Sequence, residues 1–151
     1  MALVDLQWYN AGWSRRPPGM VWEDWQPWSR WLLTPEAQKN VYAYDVEMAV
    51  RTAPASELDP AMRRSFERSN ARRIDAVGRR DGQYVIFEAR RFTGWSAIAQ
   101  LQGYLMLWPL FFPDDPTPEL ILVTERIADD LRASAARAGI RVWVSAEHGD
   151  P

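Results

Sequence analysis

Five residues between positions 75 and 104 have the types and spacing to act on an anionic centre: Asp75, Glu88, Arg90, Gln100 and Tyr104. The turn between them fixes their relation. Asp81-Gly82 is a favoured pair for a two-residue hairpin loop, because both central positions need φ > 0. If these two residues form the loop, Arg80 pairs with Gln83, and counting back along both strands sets Asp75 opposite Glu88. Like charges facing each other across a ladder repel. A divalent cation between them is one physical reason to keep such a pair, since hard cations take oxygen ligands. Arg90 lies two residues beyond Glu88 and so points to the same face. In the helix expected after the hairpin, Gln100 and Tyr104 are four apart and share one side. Ordinary hydrogen bonding at the core edge would also account for these two.

The set Asp75, then Glu88-Ala89-Arg90, then Gln100-Leu101-Gln102-Gly103-Tyr104 resembles the PD-(D/E)XK nuclease superfamily, in particular its RecB-type exonuclease branch. The likeness covers roughly residues 60 to 145, and each motif is short. It implies a core of order α-β-β-β-α-β. It also implies Mg²⁺ held by Asp75 and Glu88 with help from the Ala89 carbonyl, and Gln100 and Tyr104 orienting the site or a DNA backbone. Glu67 would stand where such nucleases often carry a further acid on a preceding helix; a surface partner for Arg63 is an equal reading. Arg90 stands where the family has lysine. Arginine stays protonated and cannot exchange a proton as a tuned lysine can, although it can stabilise developing phosphate charge.

The elements that must position these residues come from the rest of the pattern. With 151 residues, 47% hydrophobic and 25% charged, the chain reads as one globular domain with a substantial core. There is no cysteine and one histidine, which excludes disulfides and thiolate metal sites and leaves no histidine-rich zinc site. No run is apolar for the length of a bilayer and no secretory signal is visible, so the expectation is a cytoplasmic or virion protein without a membrane partner. Only Lys39 among the 18 basic residues is a lysine, which with the prolines and tryptophans suggests a GC-rich genome.

Residues 1–34 hold six of the nine tryptophans. Trp22, Trp25, Trp28 and Trp31 recur every third residue, and Pro27 is expected at the first position of a short helix over Trp28 to Leu33. Two readings stand: rings that cover one end of the core, or a docking arm built on interface hot spots. A stacking platform for single-stranded nucleic acid is the weakest, since few basic residues interleave. Residues 35–151 form the nuclease-like domain. Thr34-Pro35-Glu36 starts a short helix. Val41 to Val50 alternates as a strand with Tyr42, Tyr44, Val46, Met48 and Val50 on one face. Asp45 and Glu47 belong to a solvated face, or extend the acidic site if this strand neighbours the hairpin. A helix is expected after Asp59-Pro60, ending near Asn70. A largely buried helix from about Ser96 carries Ile98, Leu101, Leu105 and Trp108, and Pro109 ends or kinks it. A parallel β-α-β unit follows, with strands at Glu119–Thr124 and Ile140–Ser145 and a helix over Arg126–Ala138. The fold class is therefore α/β, a mixed sheet with an antiparallel hairpin plus that unit.

Arginines crowd the hairpin region. Arg72, Arg73, Arg79, Arg80 and Arg91 are candidates for contact with nucleic acid or an acidic partner. Two function classes follow. The favoured one is a nuclease fold impaired in catalysis and used for binding or assembly among protein partners, with DNA as a further partner. A phage or mobile-element protein of the virion, such as a head–tail connector component, is one form of it. The alternative is an active Mg²⁺-dependent DNA nuclease. The missing lysine and the tryptophan-rich segment favour the first.

Overall fold

The structure, a computed structural model, describes residues 3–13, 15–48 and 73–149. Its frame is a six-stranded mixed sheet with strands in sequence order. These are β1 (Tyr9–Asn10), β2 (Val41–Glu47), β3 (Arg73–Arg80), β4 (Gln83–Phe92), β5 (Glu119–Arg126) and β6 (Ile140–Val144). The first four run antiparallel to their neighbours; β4–β5 and β5–β6 are parallel. Three helices pack on the sheet: α1 (Trp22–Leu32), α2 (Trp95–Phe111) and α3 (Asp129–Arg137). α1 covers one face with Trp28, Trp31 and Leu32 over Tyr42, Phe87 and Ile121. α2 and α3 cover the other with Leu101, Trp108 and Leu131 over Val77, Ile86 and Leu122.

The hairpin turn forms as its residue pair dictates. Asp81 and Gly82 take φ of 50° and 76°, and Arg80 pairs with Gln83. Gly78 is needed for a close approach, since a Cβ there would meet the Phe87 ring at 2.8 Å. The parallel β-α-β unit is also present, with α3 starting at Asp129 rather than Arg126 and stopped by Gly139 at φ 76°. Thr34 caps the turn after α1 through its hydroxyl, which accepts from the Ala37 N–H at 3.1 Å.

Several expectations are corrected. α1 begins at Trp22, and Pro27 lies inside it, buried, instead of opening it. The missing proline N–H costs one bond, to the Glu23 carbonyl, which the burial of Trp28 and Trp31 offsets. Residues 1–34 are not a separate arm: they supply β1 to the sheet and α1 to its face. Trp28 and Trp31 are wholly buried, so they pack and do not dock. Trp28 meets Phe87 and Tyr42 edge-on at 5.1 and 5.5 Å, and Trp25 is half-buried beside them. Of the four, Trp22 alone is largely exposed. α2 runs two residues past Pro109, and its outer side leaves Trp95, Met106 and Leu110 exposed, so it is less buried than its composition suggests.

The two faces of β2 also differ from simple alternation. Tyr42 and Tyr44 pack under α1, yet Val46 and Met48 join Ala43 on the α2 side. β3 shows the same change: Ala76 lies under α1, while Ile74 and Val77 are both on the α2 side. The break falls at Asp45 and Asp75, the one level at which the β2–β3 ladder has no pair. Asp45 has φ 52° there, a left-handed value that turns the strand over. The expected helix after Asp59-Pro60, with Arg63 and Glu67, and residue Arg72 lie outside the described residues.

Candidate functional site: a guanidinium among carboxylates

β3 and β4 are paired from Arg80–Gln83 as far as Ala76–Phe87 and no further. Beyond that point β3 is paired with β2 and β4 with β5, so the two central strands part at the level where Asp75 and Glu88 would have faced each other. The Asp75 carboxylate bridges the gap. Its Oδ2 accepts from the Ala89 N–H at 2.9 Å, in place of a ladder bond.

Arg90 fills the fork. Its Nη1 donates to Asp75 Oδ2 at 3.2 Å and to the Ala89 carbonyl at 2.8 Å. Its Nη2 donates to Gln100 Oε1 at 2.8 Å and forms an ion pair with Glu88 Oε1. Asp24 Oδ2 stands 3.8 Å from Nη1, while its Oδ1 accepts from the Arg91 N–H at 2.9 Å. One planar cation thus gathers three carboxylates, a carbonyl and an amide. Arginine suits this because its fixed fork of donors reaches several acceptors at once.

Of the five sequence candidates, Asp75, Glu88, Arg90 and Gln100 come together. Tyr104 is buried nearby and serves another partner, donating to the Arg73 carbonyl at 3.0 Å. Asp24 was missed. The only signal for it was an acid in the first turn of a helix that Pro27 made appear to start later. β2 does neighbour the hairpin, but Asp45 and Glu47 are engaged by Arg73, at 3.3 and 3.6 Å, rather than extending the carboxylate group.

The described arginines do not form one patch. Arg73 and Arg79 lie at opposite ends of β3, roughly 20 Å apart along a strand. Arg79 stacks over the Trp8 ring at 4.4 Å, Arg80 lies 3.8 Å from Asp81, and Arg91 binds Glu125 at 3.0 Å. Each is already matched by an acid or a ring, which weakens the expected phosphate-facing surface.

Burial dominates the electrostatics of the fork. The Glu88 side chain is only 2% exposed, and burial, reinforced by the Asp75 charge, raises its carboxyl well above the usual carboxylate range despite Arg90. Burial also raises Asp75, against the Ala89 N–H and Arg90. The guanidinium is held firmly protonated by Glu88 and Asp75 against its own burial. Glu88 Oε2 is buried with no hydrogen-bond partner. A proton on Glu88 resolves this, because the Asp75 carboxylate is within hydrogen-bonding reach.

The same shift fixes a pH dependence. A carboxyl whose folded value lies above its unfolded one binds protons more readily in the native state, so its contribution to stability is full below the unfolded value and is lost as pH rises through the folded one. In urea titrations between pH 4.5 and 8, Glu88→Gln is expected to remove part of the wild-type loss of stability with rising pH. Parallel wild-type and variant curves would show that Glu88 is ionised throughout.

The oxygen set Asp75, Glu88 and Ala89 carbonyl is of the right chemical type for Mg²⁺. As arranged it does not fit one, because Arg90 binds all three and brings its own positive charge to the same space. Among the described residues no group of three or more His, Cys, Asp or Glu side chains is disposed to hold a metal ion. No helix among them is long and apolar enough to cross a membrane.

No protein-family model matches the chain, and no curated protein matches it. Among solved structures, a protein of unknown function, AF1548, is similar, with 16% sequence identity and a TM-score of 0.46 over 80% of this chain and 56% of that one. The chain spans just over half of that protein's length, and the functional reading takes nothing from this likeness.

Proposed function

We propose that this chain is a PD-(D/E)XK-like scaffold that has given up phosphodiester cleavage and works by binding, as a component of a larger assembly. A virion component of a phage or mobile element, such as a head–tail connector, is the form of assembly this reading favours. One observation carries it: the Arg90 guanidinium sits among the oxygens that the nuclease resemblance assigns to the metal. A cation supplied by the chain itself satisfies the opposed carboxylates without Mg²⁺. It has no exchangeable water to activate, which is the service a metal would render. Exposed Trp22, Phe92 and Trp95 support a binding role, since aromatic side chains of this size are favoured at protein interfaces.

The second reading, an active Mg²⁺-dependent DNA nuclease, has one observation on its side. Glu88 Oε2 is buried and unpartnered, and a metal could claim it if Arg90 swung away. The two are separated by incubating the protein with linear, nicked and single-stranded DNA in Mg²⁺ or Mn²⁺, beside an Asp75→Ala/Glu88→Ala control. The expected result is no cleavage by the folded protein in either metal. Cleavage that disappears in the control would establish the nuclease and overturn the scaffold reading.

A further inference from the structure

A second feature lies away from the Arg90 fork. Among the described residues, β1 pairs only with Val41 and Tyr42 of β2. From Ala43 to Glu47 the outer edge of β2 therefore has no strand beside it, and its backbone groups on that side are open to pairing. A cavity of about 800 Å³ runs along this stretch. Its apolar surface comes from Leu3, Leu6, Tyr9, Val46, Phe111 and Phe112. Leu3, Val46 and Phe112 are themselves buried in the core, so these walls are fixed rather than loosely hung. None of Asp24, Asp75, Glu88, Arg90 or Gln100 lines it.

The polar part of the lining is one-sided in charge. Asp45 and Glu47 stand on the strand edge, and Asp114 and Asp115 follow the end of α2. Arg73 is the one basic residue in the lining and is already shared between Asp45 and Glu47. Asp45 is held in place from two sides. Arg73 grips its carboxylate, and Gly19 lies so close that a Cβ there would sit 2.8 Å from Oδ1. Four carboxylates against one arginine repel a phosphate backbone and attract a cation.

We infer that this edge cleft is a docking site for an extended segment of a partner protein that alternates apolar side chains with arginine or lysine. The open β2 edge supplies main-chain pairing, the apolar walls take every second side chain, and the acids take the basic ones. Strand addition of this kind draws affinity from backbone bonds and specificity from side-chain pockets. The inference deepens the binding role proposed above by naming a partner class. It uses different residues, so DNA cleavage would overturn that reading without touching this one, and failure here would leave the Arg90 reading standing.

The test uses the full chain and a capped hexapeptide of alternating valine and arginine. Two counterparts carry glutamate in place of arginine, or proline in place of valine to remove backbone N–H groups. Binding is read by isothermal titration and by shifts of amide resonances in β2. The arginine peptide is expected to bind at least about tenfold tighter than either counterpart, a difference of about 1.4 kcal/mol. Two variants localise the effect. Asp45→Asn/Glu47→Gln removes two charges while keeping a residue that tolerates φ > 0, and Gln7→Trp fills the mouth from an exposed position. Both should weaken the arginine peptide about tenfold or more with the thermal midpoint unchanged. Absence of binding, equal binding of the glutamate or proline peptide, or binding indifferent to Gln7→Trp would each overturn the inference. The last outcome would mean a diffuse attraction to an acidic surface.

Discussion

Replacing Arg90 by alanine is expected to lower stability at pH 7 by about 3–5 kcal/mol, the cost of leaving a buried charge without its partner. The side chain is 26% exposed and its main partner, Glu88, is almost fully enclosed, so solvent can screen little of the loss. Without the guanidinium, Asp75 and Glu88 keep their burial and mutual repulsion but lose the cation that opposed both. Their native values rise further, native protein binds protons more readily than unfolded protein, and stability increases as pH falls. The deficit should therefore shrink between pH 7 and pH 5. Urea denaturation at the two pH values checks this. The same variant frees the oxygens that Arg90 occupied, so millimolar Mg²⁺ or Mn²⁺ should raise its thermal midpoint and leave wild type unmoved. A wild-type midpoint that rises equally with metal would show that Arg90 does not stand in the metal's place.

The second large effect concerns the tryptophans. Trp28→Ala is expected to cost about 3–5 kcal/mol, the range for truncating a fully enclosed aromatic. Its ring contacts Phe87, Tyr42 and Tyr44, and its indole N–H donates to the Tyr44 hydroxyl at 3.3 Å, so the variant leaves both a cavity and a lost donor. Trp22→Ala, at an exposed position, should change stability by no more than about 0.5 kcal/mol. Chemical denaturation of the two variants side by side checks the contrast. Equal and small effects would return the α1 tryptophans to a docking role.

How far the sequence carried this is best judged residue by residue. The meeting of Asp75 and Glu88 was legible because one turn, Asp81-Gly82, fixes the register of everything that pairs outward from it. The shared face of Glu88 and Arg90 followed from strand periodicity. What Arg90 does there was not legible: spacing gives the face a side chain leaves from, not whether a long flexible one turns toward solvent phosphate or back onto its neighbours' carboxylates. Asp24 was hidden because its contact, with the Arg91 N–H, joins residues far apart in the chain, and a single-sequence pattern holds no signal for that. The break at Asp45 was hidden for the opposite reason. Tyr-Asp-Val-Glu alternates as an uninterrupted strand would, and only the neighbouring strand reveals that the chain turns over in the middle. Trp28 and Trp31 showed their helical spacing plainly, but the same spacing serves a packed face and a docking face.

The strictly sequential order of the six strands bears on how the chain reaches its native state. Each strand is laid beside the one synthesised just before it, so the sheet can grow along the chain with no strand waiting for a distant partner. Contacts of short sequence separation need little loop closure and favour fast folding. The widest gap between paired strands runs from Glu47 to Arg73, across the β2–β3 boundary. That boundary divides the sheet into an amino-terminal pair and a carboxyl-terminal four, and it is where the acid-lined irregularity of Asp45 and Asp75 lies. The joining of these two blocks is the step with the longest loop to close, and the residues that complicate it are those next to the fork.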